Sequence, residues 1–184
     1  MPTTATKTSA KASGKPAARK TSSRSKAHAA PDALDLLVAD HKEVKALFKD
    51  YDKLVKADAD GDEKQALALQ ICAMLTAHTM VEEEHLYPAA RSALGDDGDL
   101  VDEADVEHAS AKELIAQIEA GSPDDDAHYD AKVKVLGEYI DHHVKEEEGE
   151  MFPKLRKSEL DLDAIGEDVA ARKAELLGED AGRH

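Results

Sequence analysis

Two stretches of the chain carry the same set of reactive side chains at the same spacing. His78 is followed four residues on by Glu82 and ten residues on by Pro88, which comes after the aromatic Tyr87. His143 is followed in the same way by Glu147, Phe152 and Pro153. A histidine and a glutamate at i and i+4 lie on one face of a helix, one turn apart, where an imidazole nitrogen and a carboxylate oxygen can grip the same cation. Two such grips in one chain point to two bound metal ions.

The elements that must position these residues are helical. From Asp32 onward apolar residues recur at helical spacing, and the chain is rich in Ala, Leu, Glu, Asp and Lys with no Trp. The pattern predicts a first helix over 32–55, with Leu34, Leu37, Val44, Phe48 and Tyr51 inward. It predicts a second from an Asp62 cap to about Gly95 and a third over 99–120 with Gly121 after its end. The fourth should be opened by Ser122 as cap and Pro123 at the first helical position, and a shorter amphipathic fifth should follow Pro153. Short connections make neighbours antiparallel, so the expected fold is all-α: an up-down-up-down four-helix bundle, a short C-terminal fifth helix and a disordered N-terminal tail. The corresponding divisions are 1–30, 31–154 and 155–184.

Each long helix has one histidine inside its apolar stripe: His41, His78, His108 and His143. His41 lies 19 residues before Asp60 and His78 lies 17 after Gly61. At about 1.5 Å of rise per residue, antiparallel helices bring the two within about 3 Å of one level. Asp40 and His41 reappear as Glu107 and His108, 67 residues on, so the bundle reads as two similar hairpins about a pseudo-twofold axis. A single histidine on an apolar face is usually a core residue with a satisfied ring. Four imidazoles and two carboxylates in one layer are harder to explain so, because unpaired buried carboxylates cost several kcal/mol each. Bound cations remove that cost. No thiolate joins the set and calcium and magnesium prefer oxygen, which leaves iron, manganese or zinc.

The arrangement resembles the hemerythrin-like, or HHE cation-binding, domain over roughly residues 32–153: His on helix one, His-x-x-x-Glu on helix two, His on helix three and His-x-x-x-Glu on helix four. The resemblance implies a non-heme di-iron centre, its two iron ions bridged by Glu82, Glu147 and an oxo or hydroxo group. His41, His78, His108 and His143 would cap them, two per iron. Oxygen-carrying hemerythrins have a second histidine on the third helix, where this chain has Lys112, and end the fourth with His and Asp, where it has Glu147. A nearly symmetric site with open positions on both irons is expected, favouring a centre that binds or reacts with O2, peroxide (H2O2) or NO in stress defence or sensing over an oxygen carrier. The alternative is a non-catalytic metal-binding or iron-handling module.

Other residues near the motif read as follows. His142 has Glu146 four residues on and competes with His143, but the apolar register through Leu136 and Ile140 favours His143. His85 and Glu150, on the extrapolated inner face, read as an outer layer or polar gate. Glu83 and Glu148 read as solvated charge, and Tyr87 and Phe152 as packing where the motif helices end. Tyr51 and Tyr139 are placed on the inner face, either as ordinary core packing or within hydrogen-bonding reach of the site. His28 and His184 carry no signal.

Charge limits the partners. The net formal charge is −16, and residues 1–30 hold seven basic residues and no acid. The rest holds seventeen basic against forty acidic residues, −23. So acidic a body repels nucleic acid and anionic membranes, leaving weak nucleic-acid contact through the basic tail as the exception. No apolar run is long enough to span a bilayer, no hydrophobic leader opens the sequence, and the single Cys72 suits a reducing, cytoplasmic setting.

Overall fold

The structure is a computed structural model that describes residues 31–180. The basic tail, His28 and His184 lie outside the described residues. Helix α1 (Ala33–Lys56) is capped by Asp32, whose side chain accepts the Asp35 N–H at 2.9 Å. Helix α2 (Gly61–Val81) leads through a wide π-helical turn (Glu82–Leu86) into α3 (Tyr87–Leu94). Helix α4 (Asp99–Glu119) is followed by a loop and by α5 (Tyr129–Glu146). A second π-helical turn (Glu147–Met151) then joins the short α6 (Phe152–Leu155), and α7 (Leu162–Asp180) closes the described chain. No helix among these is long and apolar enough to cross a membrane.

Around the bundle, α1 packs on α2 and α5, and α4 packs on the same two, as the up-down-up-down order requires. The fifth long helix is α7, which at 19 residues matches the bundle helices in length and lies across α1 and α2. It comes close: a Cβ on Gly166 would stand 2.8 Å from the Ala33 backbone nitrogen, so only glycine allows this crossing.

Two helix starts differ from expectation. The cap of α2 is Asp60, in extended conformation and accepting the Glu63 N–H at 3.1 Å, rather than Asp62. Helix α5 begins at Tyr129 instead of at Ser122–Pro123. The Ser122 hydroxyl accepts the Asp125 N–H, but Asp126 then takes the His128 N–H and turns the chain. The Asp124 carboxylate stands over the first turn of α2, where a Cβ on Gly61 would meet it at 2.5 Å. Gly121 follows α4 as expected, though without the left-handed backbone that a glycine cap often adopts.

The core has two apolar halves. One contains Val44, Ile71, Leu75, Ile115, Leu136 and Ile140; the other contains Leu34, Leu37, Val81, Leu86, Leu155 and, from α7, Val169. Between them lies one buried polar layer.

Candidate metal centre

That layer holds His41, His78, Glu82, His108, His143 and Glu147, each 5% exposed or less. All six residues singled out by spacing converge. The histidines meet in two pairs, His41 Nε2 with His78 Nε2 at 3.2 Å and His108 Nε2 with His143 Nε2 at 3.2 Å. Each glutamate reaches across the pairs. Glu147 Oε2 is 3.3 Å from His41 and 3.5 Å from His143, while Glu82 Oε2 is 3.2 Å from His78 and 3.4 Å from His108. One donor atom from each of His41, His78, Glu82 and Glu147 falls within 4.8 Å of the others, and the same holds for Glu82, His108 and His143.

The far side of every ring faces another carboxylate, on a different helical segment. Glu148 meets His41 Nδ1 at 2.9 Å, Glu83 meets His108 at 3.0 Å and Glu107 meets His143 at 2.8 Å, while Asp40 stands 3.5 Å from His78. A carboxylate at Nδ1 holds the proton there and turns the Nε2 lone pair inward, the tautomer a metal ligand needs. Glu83 and Glu148 are therefore more than solvated charge. Lys112, in the place of the carriers' extra histidine, donates to both Glu83 oxygens at 2.6 Å and stays outside the layer.

With their protons directed outward, paired Nε2 atoms would confront each other as acceptors. Both Glu82 oxygens and Glu147 Oε2 are buried with no hydrogen-bond partner. Groups so arranged lack a positive charge, and cations satisfy imidazole lone pairs and carboxylates together. The donor set fits a pair of metal ions. Without metal, protons must serve. Burial pushes His143 down, but Glu147 and Glu107 overcome it and raise its pKa to about 9. His41 is raised in the same way by Glu147 against its burial. Glu147, which burial alone would push up, is held low by His143 and His41.

The π-helical turns explain both what spacing found and what it missed. Each starts at a layer glutamate and is closed by an aromatic residue's N–H, Tyr87 to the Glu82 carbonyl and Phe152 to the Glu147 carbonyl. Pro88 and Pro153 come next, and a proline can neither donate to the carbonyl four residues back nor avoid crowding it, so a widened turn is the natural accommodation. The extra residue slips the inner face by one position. Leu86 and Met151 are buried where α-helical spacing placed His85 and Glu150; His85 is 28% exposed, Glu150 lies exposed, and neither bonds to the layer.

Tyr87, which spacing read as packing, also reaches the layer. Its hydroxyl donates to Glu147 Oε1 at 3.0 Å and lies 3.2 Å from His108 Nε2, while its ring stacks on His108. Burial and the nearby Glu147 push its pKa well up, keeping the proton on the phenol. The repeat partner, Phe152, stacks on His41 without a hydroxyl, so the layer is less symmetric than expected. Tyr87→Phe should keep the metal content and lower the stability of the metal-free protein by about 1.5–3 kcal/mol, the usual worth of a hydrogen bond to a charged group. Urea unfolding after chelation measures this, and an unchanged midpoint would assign the hydroxyl no structural role. The other tyrosines do not reach the layer: Tyr51 donates to Asp130 at 2.7 Å and Tyr139 is 50% exposed.

The hemerythrin HHE cation binding domain matches residues 32–155. The chain belongs to this family. Its members' name states cation binding, in keeping with a layer of His and Glu donors that could hold metal. The hemerythrin-like fold is shared with the crystal structure of an HHE cation binding domain-containing protein from Mycobacterium kansasii, at a TM-score of 0.65 and 22% identity, covering 80% of this chain and 88% of the other. A curated relative from Nostoc sp., named as a DNA nickase, is 35% identical over 124 residues. That match spans 67% of this chain but 33% of the relative, so this hemerythrin-like chain covers about a third of the longer protein.

Proposed function

We propose that the layer is a non-heme di-iron centre, with His41 and His78 on one iron, His108 and His143 on the other, and Glu82 and Glu147 shared between them. The observation that carries this reading is the pair of buried glutamates, each in contact with one histidine of each pair and together leaving three oxygens unpartnered. When bound there, iron supplies reversible one-electron chemistry toward O2, peroxide or NO. The surrounding residues set the conditions. The carboxylates at Nδ1 fix the ring tautomers, Tyr87 keeps a proton beside Glu147 and His108, and the two apolar clusters exclude bulk water.

A cavity of about 210 Å³, lined by Val106, Ala111, Tyr139 and Ile140, reaches His108 and His143 from outside and is of a size for small ligands. Lys112, paired with Glu83 outside the layer, leaves the centre with four histidines, which favours reaction or sensing over reversible oxygen carriage; a stress-response role in the cytoplasm belongs to the same proposal. Residues 31–154 form the working unit in this reading, and α7, within the division 155–184, covers α1 and α2 on one face.

Metal analysis and an absorption spectrum of aerobically purified protein test the proposal. About two irons per chain with ferric bands are expected, and zinc alone or no metal would sink it. Anaerobic reduction followed by O2, H2O2 or NO then identifies the ligand. His143→Ala is expected to lose most of this metal while His142→Ala keeps it, since only His143 reaches the layer; equal loss in both would overturn the assignment. The second reading, a metal-binding module serving a larger activity, is favoured by the partial match to the protein named a DNA nickase. Metal that stays bound and spectroscopically unchanged through exposure to O2, H2O2 and NO would support it.

A further inference from the structure

The two halves of the bundle differ on their outer faces, and the difference has a chemical meaning. In the first half Asp40 turns Oδ2 toward His78 Nδ1 and gives Oδ1 to the ammonium of Lys173, which α7 brings across. In the second half Glu107, the counterpart of Asp40 in the repeat, turns Oε2 to His143 Nδ1 at 2.8 Å. Among the described residues no helix covers that face, and no Lys or Arg pairs with Glu107. Its Oε1 instead stands 3.5 Å from His142 Nε2, which is itself 3.3 Å from Glu146 Oε1. The counterparts of His142 and Glu146 in the first half are Ala77 and Val81, both buried, Val81 in the apolar cluster that includes Val169 of α7. Where the first half has apolar contacts and a lysine, the second has an imidazole and a second carboxylate.

We infer that Glu107, His142 and Glu146 form a separate, solvent-facing site for one divalent transition-metal ion. Their donor atoms lie within 4.8 Å of one another, close enough for a single ion to touch all three. The His142 side chain is 65% exposed, while those of Glu107 and Glu146 are 22% and 34% exposed, so water completes the coordination. One imidazole and two carboxylates select a borderline cation such as zinc, ferrous iron or manganese over calcium. The ion takes the electrostatic place that Lys173 fills in the other half. Glu107 then holds His143 with one oxygen and the outer ion with the other, which couples the outer site to the buried layer.

The test is calorimetric titration of the full chain, as purified, with zinc chloride at neutral pH, with the released metal measured in parallel. One zinc per chain is expected to bind without displacing metal already present. His142→Ala and Glu146→Gln should each weaken that binding at least about tenfold, the lower range for loss of a group supporting a metal, while the absorption spectrum and the original metal content stay unchanged. No additional zinc, zinc matched by metal release, or zinc binding that survives both substitutions would each overturn the inference. The result is read as the difference between wild type and two surface variants, so it stands whichever metal the buried layer holds.

Discussion

Glu82→Gln should act in opposite directions on the metal-loaded and the metal-free protein. On the proposed di-iron reading the substitution would remove a charged ligand that faces His78 on one side and His108 on the other, and both ions would lose a partner together. Bound metal is expected to fall from about two ions per chain to less than one, because loss of a supporting group alone costs about 10–100-fold in affinity and a shared ligand costs more. In the stripped protein the same carboxylate is fully buried with both oxygens unpartnered. Removing its charge without changing its shape ends the penalty of an unpartnered buried carboxylate, about 1–3 kcal/mol, less the attraction lost by the nearby His41 and His143, so the stripped variant should be no less stable than wild type. Metal content by elemental analysis and thermal unfolding with and without chelator give both signs. A glutamine variant less stable than wild type in both states would mean that Glu82 serves the fold rather than a metal.

The buried layer was legible in the sequence because it breaks a pattern. His41, His78, His108 and His143 interrupt apolar stripes whose period is otherwise uniform, and α-helical rise is regular enough to put them at one height. The limits of that reasoning are also physical. Helical spacing assumes a constant period, and the turns at Glu82–Leu86 and Glu147–Met151 break it, exchanging His85 and Glu150 for Leu86 and Met151. The prolines at 88 and 153 were the visible trace of those turns. Of the carboxylates behind the rings, the repeat showed Asp40 and Glu107 without their partners, and it gave no sign that Glu148 meets His41 across 107 residues. The start of α5 misled for another reason, because Ser-Pro-Asp-Asp suits a tight turn as well as a helix cap, and the bonds of Ser122 to the Asp125 N–H and of Asp126 to the His128 N–H make it a turn.

Stripping the metal should lower the melting temperature on the order of 10 °C, and the deficit should grow with pH. A ligand at about a thousandfold excess over its dissociation constant stabilises by about 4 kcal/mol, and each kcal/mol is worth about 2–4 °C in a chain of this length. The loss falls in the buried polar layer, which has no apolar packing of its own to replace the bound charge. The pH dependence follows from His143. In the metal-free protein its pKa is raised from 6.5 to about 9, so its contribution to stability is complete below about pH 6.5 and is lost as pH rises through about 9. His41 is raised likewise and acts in the same direction. In the loaded protein these rings carry metal rather than a proton, and rising pH removes the competitor and tightens binding. Melting curves of stripped and loaded protein between about pH 6.5 and 9 should therefore diverge. Parallel curves over that range would show that the four rings do not exchange protons for metal.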